Sequence, residues 1–219
     1  MKIKKITKPT FLEEEKLWQT GVDYIIGLDE VGRGAFAGPI VGAGVIFQPN
    51  FKHSFLDKVN DSKLVRPKLR EELSELIKQH ALFYAIESID ISYINMHGIG
   101  KANMAVFRKV IKNILRQTKN DLNHFILIDG FHGKYLPGGV SKQKAIIRGD
   151  QKSLSIASAS IIAKVYRDNL MREAGSEFPN YMFAKNKGYG TLEHRNAIKS
   201  NGLTRIHRTA FCHSWYLSG

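Results

Sequence analysis

Cysteine is nearly missing. Cys212 stands alone among 219 residues, which excludes an internal disulfide framework and any zinc module built on several thiolates. A reducing, intracellular compartment suits such a chain. Long apolar runs are missing as well: the longest, such as residues 40–47, are too short to span a bilayer, so no membrane association and a cytoplasmic location are expected. The basic start MKIKKITKPT leads into Phe11-Leu12-Glu13-Glu14-Glu15 rather than an apolar stretch with small residues, which argues against a signal peptide. Acidic residues are in short supply: 20 Asp and Glu face 33 Lys and Arg, a formal net charge of +13. That excess points to a polyanionic partner, nucleic acid ahead of an anionic membrane surface. With 43% hydrophobic and 24% charged residues, the chain can bury a core, and intrinsic disorder is excluded. Neither a fixed-period repeat nor a low-complexity stretch breaks it up. One continuous domain over 1–219 is expected, helical from about residue 178.

Residues 23–29 (DYIIGLD) and 40–47 (IVGAGVIF) read as strands around a Gly-rich turn, the start of a hairpin. Pro67 suits the first turn of a helix in which Leu69, Leu73, Leu76 and Ile77 recur at helical spacing to about His80. Residues 81–89 alternate and predict a third strand, and Ala102, Val106, Val110 and Ile114 mark a second helix. The continuously apolar run 124–130, ending in Asp129-Gly130, looks like a buried central strand. A short strand near 145–148, a small-residue helix from about Ser153 to Arg172, and a helix from near Thr191 to just before Gly202 complete the pattern.

Four carboxylates stand at the ends of these apolar segments: Asp29 and Glu30, Asp129, and Asp150. Ligands of open α/β sheets bind at the carboxyl ends of strands, so these acids can converge despite their separation in sequence. Each taken alone is equally well a turn residue or a helix N-cap. Convergence is costly, because two unit charges about 4 Å apart repel by roughly 4 kcal/mol at an effective dielectric near 20. A divalent cation relieves that cost. Oxygen donors without a Cys or His cluster favour Mg²⁺ or Mn²⁺ over zinc, and an acidic site on a basic chain suggests phosphodiester chemistry.

The stretch Gly32-Arg33-Gly34-Ala35-Phe36-Ala37 matches a dinucleotide fingerprint, but it leads into a second strand rather than a helix and follows two acids that repel a pyrophosphate. Its glycines serve either a close approach of backbone to a ligand or a plain tight turn. Later in the chain, Tyr181, Phe183, Lys185, Lys187, Tyr189, Arg195, Arg205, His207, Arg208, Phe211 and Trp215 interleave charge and rings. That mixture fits a nucleic-acid surface, or equally a solvated face over core aromatics. Cys212 beside His213 lacks an ordered partner and reads as a buried thiol, not a nucleophile.

Taken in order, GLDEVGRGAFAGPIVGAGVIF (27–47), DSK (61–63), ILIDG (126–130), RGD (148–150), SIASASIIAKVYRD (155–168), NKGYGTLEH (186–194) and IHRTAF (206–211) resemble type 2 ribonuclease H, ribonuclease HII. The resemblance implies an α/β, RNase H-like fold: a mixed central sheet flanked by helices with a C-terminal helical extension. It also implies an endoribonuclease acting on RNA/DNA hybrids and 5′ of single ribonucleotides embedded in a DNA duplex, leaving 3′-hydroxyl and 5′-phosphate ends. Asp29, Glu30, Asp129 and Asp150 then correspond to the family's catalytic, metal-binding carboxylates, holding two Mg²⁺ or Mn²⁺ ions. Gly32, Arg33 and Gly34 correspond to the sensor of the ribose 2′-hydroxyl, with Tyr189 stacking on the neighbouring sugar, and Lys63, Lys187 and Thr191 lie in motifs near substrate phosphates. A monomer is expected. Ala35 in place of a common proline, Ser158 in the small-residue helix and a long 130–149 loop depart from the pattern without touching a catalytic position. Two rival functions stay open: a noncatalytic nucleic-acid-binding protein on the same scaffold, and a DNA nuclease or strand-transfer enzyme, which has no need of a 2′-hydroxyl sensor.

Overall fold

A computed structural model describes residues 8–118, 123–133 and 135–216, the last three of these by backbone alone. The first seven residues of the basic N-terminus and the Trp215 side chain thus lie outside the described residues. A short helix α1 (Leu12–Trp18) precedes the hairpin of β1 (Tyr24–Val31) and β2 (Ile40–Ile46), followed by α2 (Pro67–His80) and β3 (Phe83–Ile89). Then come α3 (Ile91–His97), α4 (Ile99–Gln117), β4 (His124–Asp129), β5 (Gln143–Ile146) and the long α5 (Leu154–Glu177). Three helices close the chain: α6 (Phe183–Asn186), α7 (Leu192–Asn201) and α8 (Thr209–Tyr216). Among the described residues no helix is long and apolar enough to cross a membrane.

The five strands form one sheet in the order β3-β2-β1-β4-β5. β1 pairs antiparallel with β2 and parallel with β4, so the sheet is mixed, as expected. Alternation along β1 sends Ile26 and Leu28 to the face covered by Val106, Val110 and Ile114 of α4. The opposite face carries Val41, Ala43 and Val45 against α2 and α5. The small-residue run of α5 has a physical reason: it lies so close to β1 that a Cβ on Gly27 would stand 2.3 Å from the backbone of Ser155. This contact fixes the helix across the centre of the sheet, beneath the carboxyl ends of β1 and β4.

Differences from the sequence reading are local. β1 runs to Val31, so Asp29 and Glu30 lie within the strand's last turns of pleat and do not follow it. β5 begins at Gln143, earlier than periodicity indicates, because the buried Gln143 amide is bonded to both polar groups of Gly133. α5 continues to Glu177, and α3 has no counterpart in the sequence reading.

Candidate active site

β1 delivers two carboxylates with opposite orientations. Asp29 faces α5 and is buried, whereas Glu30 faces α4 and is half-buried. β4 runs parallel beside β1 in the register Leu28↔Ile128, which puts Asp129 next to them. Asp150 comes from the 3-10 turn Gly149–Gln151 that leads into α5. All four line a single cleft together with Gly32, Arg33, Gly34, Lys63 and Tyr189. The walls also include Ser62, Ser160 and Lys164.

The electrostatics are those of crowded acid. Burial holds the Asp29 carboxyl well above the ordinary carboxylate range, and the charges of Glu30 and Asp129 push it further. Burial likewise raises Glu30, against the pull of the Arg33 guanidinium 3.9 Å away. Asp129 is raised by burial although its Oδ1 accepts a 2.6 Å bond from the Gly149 N–H. Asp150 is pushed up to about 6 by burial, then by Asp61 and Asp129. Lys63 is the common counter-charge, lowering Glu30, Asp129 and Asp150 alike.

As donors, these carboxylates fit hard cations, since the cleft lining contains neither thiolate nor imidazole. Yet among the described residues no three His, Cys, Asp or Glu side chains stand close enough to hold an ion. The spacing follows from the bonds in place. Asp29 Oδ1 accepts from the Glu30 N–H at 2.8 Å, Asp129 is tied to Gly149, and Glu30 leans toward Arg33. The donor chemistry thus suits Mg²⁺ or Mn²⁺, with the four side chains in an open arrangement.

The 32–38 loop is built from behind by two buried arginines. Arg167 of α5 donates to the carbonyls of Pro39, Lys187 and Ala37 at 2.9–3.0 Å. Arg208 donates to Gly38, Gly32 and Arg33 at 2.7–3.1 Å. Burial and the neighbouring Arg167 pull Arg208 down to about 9, still charged at neutral pH. Arg208 is wholly buried and its Nε and Nη1 donate to carbonyls, so it is not the phosphate-contacting surface cation that its place among interleaved rings suggests. Tyr181, Phe183 and His207 of that interleaved set are also buried, in a core beside Met171 and Ile198. Lys185 and Arg205 remain exposed, paired with Glu193 and Glu177.

Tyr189 is positioned by a chain of hydrogen bonds. The Thr204 N–H can only donate, and it reaches His207 Nδ1 at 2.8 Å, so that nitrogen carries no proton. His207 Nε2–H then donates to His194 Nε2 at 3.0 Å, and His194 Nδ1–H to the Tyr189 carbonyl at 2.9 Å. The Arg167 guanidinium sits 5.5 Å from the Tyr189 ring centroid. Lys187 and Thr191 are not among the lining residues described: the Lys187 ammonium bonds the Ala184 carbonyl, and the Thr191 hydroxyl caps α7. Cys212 is buried, its thiol pushed up to about 11 by burial, in keeping with an inert side chain.

Sequence reasoning missed Asp61, buried beside the cleft, where Gln151 bonds it at 3.3 Å. It stands in the DSK motif, but no strand end marks it. Arg167 and Asn103, whose side chain bonds Glu30, carry no signal in the sequence beyond a polar residue at a core-facing helical position.

Against known proteins, the family model described as Ribonuclease HII matches residues 26–214. The chain belongs to the ribonuclease HII family. Ribonuclease HII of Clostridium perfringens strain 13 is 47% identical over 188 residues, covering 86% of this chain and 66% of that protein. Ribonuclease HII of Caldanaerobacter subterraneus subsp. tengcongensis is 41% identical over 209 residues, covering 95% and 82%. The crystal structure of the ribonuclease H2 from Pyrococcus horikoshii OT3 shares the fold, with a TM-score of 0.67 at 20% identity over 87% of this chain and 96% of that one. The span of this chain is thus 66% of the Clostridium perfringens relative's length.

Proposed function

We propose that the chain is a metal-dependent endoribonuclease that cuts the RNA strand of RNA/DNA hybrids and the linkage 5′ of a single ribonucleotide in duplex DNA. The observation that carries this reading is the joint lining of one cleft by Asp29, Glu30, Asp129 and Asp150 with Gly32-Arg33-Gly34 and Tyr189. Acid for cation binding meets there a glycine loop and a tyrosine suited to a sugar hydroxyl. We assign two Mg²⁺ or Mn²⁺ ions to the four carboxylates; bound there, such ions would supply Lewis-acid charge and make a bound water more acidic. The chain's own residues bind and orient the duplex. Peptide groups of residues 32–34 and the Tyr189 phenol meet the 2′-hydroxyl, the one group that separates RNA from DNA at a site. Lys63 faces a phosphate oxygen, Lys187 and Thr191 brace the Tyr189 loop beside the flanking phosphates, and the excess of lysine and arginine supplies affinity without sequence preference. We assign the activity to a cytoplasmic monomer.

A duplex with one embedded ribonucleotide, its all-DNA twin and a long hybrid, each with Mg²⁺, Mn²⁺ or chelator, test the reading. Asp29→Asn should cut below about a hundredth of the wild-type rate, the scale of losing one preorganised charge contact, while still binding. Tyr189→Ala should depress cutting at the lone ribonucleotide more than Lys63→Ala alters RNA-over-DNA discrimination. Retained turnover in Asp29→Asn, or cutting of the all-DNA twin, contradicts the assignment.

A further inference from the structure

Away from the active-site carboxylates, one stretch of surface is predominantly basic. α4 contains Lys101, Arg108, Lys109, Lys112 and Arg116 and not one Asp or Glu. Residues 101, 108, 112 and 116 follow helical spacing along its outer flank, while Val106, Val110 and Ile114 fill the core. Arg108, Lys109 and Lys112 line a groove between α4 and the end of β3, with Ser88, Asp90 and Tyr93 opposite. Among the described residues no ion pair joins any of these three cations. Arg108 Nε is held by the Met104 carbonyl at 3.1 Å, and Lys109 Nζ touches the Ser88 carbonyl at 3.4 Å. Asp90, the one acid among the described residues lining the groove, caps α3 through Oδ1, which accepts from the Tyr93 N–H and the Ser92 hydroxyl at 2.8 Å each, and its charge offsets only part of the basic cluster, acting on Lys109. Glu87 nearby accepts from Asn113 at 2.8 Å.

The groove opens at the same end of the sheet as the candidate active site. Glu30 pairs with Gly42 on β2, and Gly42 pairs with Glu87 on β3, the residue before Ser88. Two strand spacings, about 10 Å, therefore separate Glu30 from the groove's inner rim. A nucleic-acid strand rises about 3.4 Å per nucleotide, so a phosphate about three nucleotides from the one at the carboxylates comes within reach. Of the cleft's own cations, Arg33 stands on the loop between β1 and β2 and faces Glu30, while Lys63 and Lys164 come from the loop before α2 and from α5, on the other face of the sheet.

We propose that the α4–β3 groove is a second phosphate-binding surface for the substrate duplex, with Arg108, Lys109 and Lys112 gripping backbone phosphates beside the cut strand's scissile site. The proposal rests on the duplex-cutting reading above. It assigns α4 to affinity and placement, not to chemistry.

The test measures binding of an RNA/DNA hybrid to the full chain in chelator across a salt series, for wild type, Lys109→Gln, Lys112→Gln, the pair, and Lys52→Gln. Lys52 follows β2 at the opposite end of the sheet and removes the same charge. The pair should bind roughly tenfold more weakly near 0.1 M salt, and its slope of log affinity against log salt should fall by about 1.8, near 0.9 per lost phosphate contact. Lys52→Gln should match wild type in affinity, slope and cutting, and the pair should raise the hybrid concentration needed for half-maximal cutting with Mg²⁺ in proportion to its loss of affinity. Trimming the hybrid one base pair at a time should erase the difference from one end only. A pair variant with wild-type affinity and slope, or one indistinguishable from Lys52→Gln, overturns the groove while leaving the active-site reading intact. If wild type itself binds hybrid with no salt dependence, the duplex reading fails instead.

Discussion

Gly32 and Gly34 stand two positions apart in one loop and have opposite tolerance. Gly32 is held at φ +89°, and a Cβ there would meet Arg167 Nε at 2.1 Å, whereas a Cβ on Gly34 meets nothing within 4 Å. Gly32→Ala should therefore cost about 2–4 kcal/mol in urea unfolding through backbone strain and displacement of a buried guanidinium, with Gly34→Ala near neutral. The His207–His194 chain gives a pH signature. Burial, then the charge of His194, pushes His207 down to about 4, and burial lowers His194 as well. The unfolded imidazole, near 6.5, binds a proton that the folded one refuses. The stability that His207 contributes is thus fully present above about 6.5, declines as pH falls, and levels off near 4, with His194 acting in the same direction; in His207→Asn the urea midpoint should decline less steeply across that window. At this scale the sequence was readable where geometry is local. Asp29, Asp129 and Asp150 end short apolar runs, and that alone marks them. Arg167 and Arg208 were hidden because only the packing of α5 and the C-terminal segment on the 32–38 loop decides where their side chains go, and Asp61 because only the approach of Gln151, from the turn before α5, brings it to the cleft.

Helix α1 shows how a single side chain can dock an element. Glu14 is wholly buried, with its Oε1 accepting from the Ser153 hydroxyl at 2.6 Å and the Ser155 N–H at 3.0 Å, the first turn of α5. Burial raises its carboxyl. Glu14→Ala strands both donors in the interior and should lower the unfolding free energy by about 2–4 kcal/mol, while Glu14→Gln, which keeps an acceptor there, should lose less than half of that. Thermal melts of the two variants check the contrast. Because α5 also carries Ser160 and Arg167, Glu14→Ala should reduce activity only as far as it loosens that helix. Elements with a strong pattern, the helical period of α2 and the continuous apolar run of β4, matched the sequence reading closely. α3 did not, since seven residues are too few for a helical period to emerge, and β5 shifted because a buried side-chain amide, not alternation, sets its register.

The whole molecule sets a strongly positive chain around a negative cleft, and the cleft works against folding when no cation offsets it. Asp150 is the clearest case, raised to about 6 by burial and by Asp61 and Asp129. Its sign is opposite to that of the histidines. The folded carboxyl keeps a proton up to about 6 that the unfolded one releases near 3.9, so its contribution is favourable below about 4 and is lost as pH rises to about 6. Asp150→Asn should accordingly be more stable than wild type in chelator at pH 7, by about 1–2 kcal/mol after allowance for solvent screening. The advantage should shrink steadily toward pH 4. Mg²⁺ or Mn²⁺ should raise the melting temperature of wild type, through binding to the folded state alone, and raise that of Asp150→Asn much less. A variant no more stable than wild type at pH 7 in chelator, or one that gains as much from the cation, means that the four acids do not share an electrostatic site; loss of cutting together with gain of stability marks the strained cluster as the functional one.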